Sequence, residues 1–152
     1  MRSKDFKVTP ELKRKINRLA KLVGVKLNWY RGCGIQWNGT TIACKGQDAS
    51  KIIHDIAHFA VATKKERVAL DFGLGPGPDT YVPVDDNTEI KSLYGLPKCL
   101  KVEDKASALG IYWEKQLGLN WQSTAMYHAW EGLDLEKAWV KYNKTINKSK
   151  GI

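Results

Sequence analysis

Asp48-Ala49-Ser50-Lys51-Ile52-Ile53-His54-Asp55-Ile56-Ala57-His58-Phe59-Ala60-Val61-Ala62-Thr63 is the stretch from which the chain is best read. Asp48 suits an N-cap, because its carboxylate can accept from the free N–H groups of a first turn. Ile52, Ile53, Ile56, Ala57 and Ala60 then recur at helical spacing and form a broad apolar face. A helix over 48–63 is predicted. His54 and His58 are four residues apart, so their imidazoles lie one above the other on one face. The chain has only three histidines, and two of them form this pair.

Two imidazoles on an apolar face need partners, since unpaired buried polar groups are costly. One metal ion satisfies both together, as in H-E-x-x-H helices. Two core histidines bonded to backbone or acids are the other reading of the same spacing. Asp55 stands where such helices carry Glu. It is one methylene shorter, which weakens it as a general base. Two ligands do not complete a site. His128, Asp71 and Glu103 are the candidates for a third. Asp71 precedes a Gly-rich turn that lets backbone approach closely. Glu103 opens a helix, which is also a plain dipole-favourable place for an acid. Two His and one carboxylate with open positions suit non-haem iron that uses O2. Zinc accepts the same ligands.

Working outward toward the C-terminus, residues 64–70 continue the helix or form another short one. Residues 71–79 (DFGLGPGPD) are too rich in Gly and Pro for a regular element, and a loop is expected on to 97. Helices are predicted over 102–117, stopped by Gly118, and over 124–130. A last helix follows Asp134, with Leu135, Ala138, Trp139 and Tyr142 inside. The Lys-rich tail, 144–152, should fray.

Toward the N-terminus, Thr9-Pro10-Glu11 opens a helix that Leu12, Ile16, Leu19 and Val23 carry to Gly24. Its outer face is Lys13, Arg14, Lys15, Arg18 and Lys21. Residues 25–30 form a strand candidate. Ile35-Gln36-Trp37, Asn38-Gly39 and 40–44 read as a hairpin on a two-residue Asn-Gly turn. The expected fold is α+β: a mostly helical single domain, 1–152, with a small antiparallel sheet near the N-terminus.

Composition agrees with one soluble domain: 152 residues, 43% hydrophobic and 27% charged. No apolar run approaches a membrane span, and no signal peptide is evident, so a cytoplasmic protein is expected. Cys33, Cys44 and Cys99 form no C-x-x-C pair. That excludes a four-cysteine zinc site and leaves free thiols as the expectation. The net charge is +9. Residues 1–31 hold ten Lys/Arg and two acids, a net of +8. The other 121 hold 15 basic and 14 acidic groups, a net of +1. A basic front end on a near-neutral body attracts nucleic acid, a ribosome or an acidic protein. A solvated face that only aids solubility is the plainer reading.

Three stretches carry a resemblance. ASKIIHDIAHFAVATKKERVALDFG (49–73) resembles the H-E-x-x-H-W helix of the elongation factor P hydroxylase family, which runs on to an Arg and an Asp-Phe-Gly. GPGPD (75–79) is similar to the Pro-Asp that follows there. KVEDKASALGIYWEKQLG (101–118) resembles that family's V-E-x-K-x-x-A-L helix. Order and spacing agree over residues 42–121, roughly half the chain. The resemblance implies a metal-dependent oxygenase that hydroxylates a lysine side chain on a protein substrate, a translation factor. Carried over, His54, His58 and Glu103 match metal ligands, and Asp55 matches the helix Glu. Asp71 and Lys105 match further motif positions. Phe59 replaces the Trp after the second His, Leu74-Gly75-Pro76 replaces an aromatic run, and Gly110 stands where the family has a Glu.

The sequence therefore supports, first, an iron oxygenase with Asp55 and Asp71 as further catalytic candidates. A zinc hydrolase of peptidase type comes second. A non-catalytic basic module that binds nucleic acid or a ribosome comes third.

Overall fold

The computed structural model describes residues 7–32, 34–74, 94 and 96–119. Its elements run α1 (Pro10–Val23), β1 (Lys26–Asn28), β2 (Thr41–Ala43), α2 (Ala49–Val61), α3 (Lys64–Arg67) and α4 (Leu96–Gln116). The fold is α+β and mostly helical, as expected. The helices predicted over 124–130 and after Asp134, the 144–152 tail, His128 and Cys33 lie outside the described residues.

Local chemistry sets the helix ends. The Thr9 hydroxyl accepts from the Leu12 N–H, and Pro10 takes the first helical position. Gly24 closes α1 in the left-handed region at φ 92°, which costs glycine little. Asp48 caps α2 by accepting from Lys51 N–H. Thr63 and Glu66 cap α3 reciprocally: each side chain accepts from the other's backbone N–H. That makes 64–67 a separate short helix rather than a continuation. α4 begins at Leu96, six residues before its expected start at 102. Pro97 sits in the first turn, where its missing N–H costs nothing.

The sheet departs from expectation. β1 and β2 run parallel, with Lys26 opposite Thr41 and Asn28 opposite Ala43. The expected hairpin survives only as an antiparallel bridge between Trp37 and Ile42. Its loop spans four residues, not two. Gly39 alone of the Asn-Gly pair takes positive φ. The Asn38 carboxamide oxygen accepts from Thr40 and Thr41 N–H and shapes the turn instead.

One apolar cluster gathers Leu12, Ile16 and Leu19 of α1, Ile42 of β2, Ile52, Ile53 and Ile56 of α2, and Ala106, Leu109 and Trp113 of α4. α4 packs chiefly on α2. They meet at Gly110, where a Cβ would stand 3.5 Å from His54 Cα, an ordinary contact distance. This contact brings the first turn of residues after Val102 over the histidine pair. No described helix is long and apolar enough to cross a membrane.

Candidate metal centre

α2 presents His54 and His58 on one face, and α4 lays Glu103 across them. The His58 Nε2 atom is 3.0 Å from Glu103 Oε1, and His54 Nε2 is 3.2 Å from Glu103 Oε2. The two Nε2 atoms are 3.1 Å apart, with the rings edge to face at 85°. Side-chain exposure is 15% for His54, 5% for His58 and 9% for Glu103. Among the described residues this is the one group of three or more His, Cys, Asp or Glu whose ligand atoms all lie within 4.8 Å of one another.

The charges are strongly coupled. Burial and the neighbouring His58 hold His54 below the ordinary imidazole range, although its bond to Glu103 opposes this. Burial also works against a charge on His58, but the Glu103 carboxylate outweighs it and lifts His58 above that range. Glu103 is held well below the usual carboxylate range: burial opposes its ionisation, and the charge on His58 and bonds from both imidazoles overcome it.

As a hydrogen-bond set the arrangement is frustrated. Each Nε2 carries one N–H at most. If both donate to Glu103, two donors face each other across 3.1 Å. If one donates to the other, the second contact to Glu103 brings acceptor against acceptor. A divalent cation removes the conflict, because all three groups can then present lone pairs. The spacing also fits. Ligands about 2.1 Å from a metal, at right angles, lie about 3.0 Å apart.

The other described candidates are not in the ligand group, although the Asp55 charge is felt at His58. Asp55 is buried at 3% exposure, and its Oδ1 pairs with Lys51 Nζ at 3.4 Å, one turn back on α2. Asp71 ties two chain segments together: its Oδ1 accepts from Gln36 N–H (2.9 Å) and Trp37 N–H (3.0 Å), and its own N–H donates to Trp37 O. Burial raises the Asp71 carboxyl, against those two bonds. Lys105 sits two residues beyond Glu103, about 200° round the helix from it.

Sequence reading missed an aromatic support. Asp71 and Phe72 are both left-handed, at φ 47° and 57°, which is costly for Phe. The turn thereby lays the Phe72 ring parallel to His58, with centroids 5.7 Å apart at 14°. Trp37 stacks on the far side of Phe72 at 5.1 Å, and its indole N–H donates to Arg67 O. Phe59 meets Trp37 edge-on, under the Arg67 guanidinium. No local pattern announces this stack, since its members come from four segments. His58 Nδ1 is buried and has no hydrogen-bond partner among the described residues, where the ring is instead stacked on Phe72.

Compared with known protein families, curated proteins and solved structures, the chain finds no match.

Proposed function

We propose that His54, His58 and Glu103 hold a divalent metal, iron first, and that the protein is an oxygenase hydroxylating a side chain on a macromolecular substrate. The observation that carries the metal site is the convergence from two helices of two imidazole nitrogens, 3.1 Å apart, each on one oxygen of the Glu103 carboxylate at 3.0 and 3.2 Å. Two imidazoles and one carboxylate occupy one side of an ion and leave its other positions open, the donor set used by non-haem iron. Iron bound there would activate O2, and an external reductant would supply the two electrons by which one oxygen atom becomes water while the other enters the substrate. The resemblance to elongation factor P hydroxylases makes a protein, and a translation factor in particular, the substrate class to test.

The chain's own part is positional. α2 fixes the two imidazoles at one helical turn, and the Phe72 and Trp37 rings hold His58 in plane. Glu103 lends one negative charge, which would offset half of that on a divalent ion. Its apolar surroundings (Ile53, Ala57 and Ala106, all fully buried) strengthen that attraction. On metal binding the Nε2 proton of His58 must leave.

The zinc hydrolase reading is weaker. A hydrolase of the H-E-x-x-H type uses the helix carboxylate as its base. Here that position, Asp55, is engaged with Lys51 and lies outside the cluster. The test is mass spectrometry of candidate translation factors after incubation in air with the Fe(II)-loaded protein and ascorbate as the two-electron reductant. Addition of one oxygen atom, absent with Glu103→Ala, is expected. Peptide cleavage by the zinc-loaded protein with no oxygen addition would reverse the order of the two readings.

A further inference from the structure

The proposed metal centre makes no use of the basic outer face of α1. Lys13, Arg14, Arg18 and Lys21 are all exposed on the outer face of α1. None is ion-paired with an acid among the described residues. The nearby Glu11 pairs with Lys15 at 3.8 Å instead. Arg14, Arg18 and Lys21 form an i, i+4, i+7 stripe about 10 Å long, the rise of roughly three nucleotides of one strand.

Two aromatic residues follow β1 in the chain, the first of them packed on α1. Trp29 follows β1 and is braced on α1: its indole N–H donates to Asn17 Oδ1 at 2.9 Å, and Lys13 Nζ sits 4.8 Å from its ring centroid. Tyr30 comes next, with 93% of its surface exposed. Its backbone is pinned, since its N–H donates to the Asn28 side chain. A solvent-exposed ring on fixed backbone, next in the chain to a Trp that is braced on α1 under Lys13, is a stacking platform for a base.

We infer that the α1 face, with Tyr30, is a binding surface for single-stranded nucleic acid. Cations along the helix take successive phosphates, and Tyr30 stacks on a base. An acidic protein would satisfy the cations but would leave Tyr30 with nothing to do. A duplex would satisfy the cations too, but its bases are already stacked. The surface is separate from the metal ligands, so this inference stands without the oxygenase reading.

The test is fluorescence anisotropy of the full chain with a labelled oligouridylate of about 12 nucleotides, across a salt series. With about four phosphates neutralised, log affinity should fall with log salt at a slope near −3, about 50-fold between 50 and 200 mM. Arg14→Glu/Arg18→Glu/Lys21→Glu should abolish binding. Tyr30→Ala should weaken it about 5- to 10-fold at unchanged slope. That split separates stacking from charge. Both variants alter exposed positions, and circular dichroism checks their fold. Three results would overturn the inference: no binding at 150 mM salt, an unaltered affinity in Tyr30→Ala, or equal binding of polyglutamate or of duplex. The polyglutamate result would assign the face to an acidic protein partner.

Discussion

Replacing Asp71 by Ala should unfold the platform behind His58, and the size of the effect follows from its bonds. Asp71 Oδ1 is the acceptor for both Gln36 and Trp37 N–H. Leaving a buried N–H without an acceptor costs about 1–3 kcal/mol. Both bonds are only partly buried, so about 2–4 kcal/mol for the pair is reasonable. Ala tolerates the left-handed φ of 47° less well than Asp, which adds about 1 kcal/mol. The sum, about 3–5 kcal/mol, is a large share of the roughly 5–15 kcal/mol that holds a domain together. For a chain of this size it lowers Tm by roughly 6–20 °C. Asp71→Asn keeps the accepting oxygen and should lose far less. Differential scanning calorimetry of the two variants, with metal content measured beside it, checks the claim. The reasoning fails if Asp71→Ala melts with the wild type, or if Asp71→Asn stays folded and loses its metal. The second result would make Asp71 a ligand rather than a tie.

Four further outcomes are expected. Metal affinity should rise about tenfold per pH unit through the pKa of His58, which Glu103 holds above the ordinary 6.5, and flatten above it; isothermal titration from pH 6 to 9 would show otherwise if affinity were constant. In the metal-free protein, the depressed Glu103 pKa contributes stability present above pH 4.5 and lost as pH falls through its folded value, while the raised His58 pKa contributes stability below pH 6.5 that is lost as pH rises through its folded value, so Tm should peak between the two limits. Gly110→Ala should keep the metal and stabilise by about 0.5–1 kcal/mol, because a Cβ there meets only ordinary contacts at 3.5–3.8 Å and helix entropy improves; a fall in Tm would contradict it. The Cys44 thiol, pushed up to about 12 by burial and by Asp55, should resist iodoacetamide at pH 8 until the protein unfolds, as peptide mass mapping would reveal.

The helices were legible where their chemistry is local. Thr9, Pro10 and Gly24 mark both ends of α1 within a few residues of one another, and Asp48 does the same for the start of α2. His54 and His58 were legible for the same reason, since four residues in sequence mean one turn in space. The sheet was not. Asn38-Gly39 does turn the chain, but β2 takes its main partner from β1, on its other side, and that choice is made by how α1 and α2 pack. Glu103 illustrates the middle case. Periodicity left it one acid among several, the family resemblance picked it out, and the packing of α4 on α2 at Gly110 is what carries it to the histidines. Asp71 was singled out for a site, yet its partners Gln36 and Trp37 lie some 35 residues away in sequence, so its tying role had no local mark. Phe72 and Trp37 share that obscurity.

The central claim is that His54, His58 and Glu103 bind one metal ion. Elemental analysis of protein produced in iron-supplemented cells, beside the His54→Ala/His58→Ala variant, tests it most directly. Near-stoichiometric iron in the wild type and none in the variant is expected. Equal metal in both proteins, or none in either with the variant still folded, would contradict it.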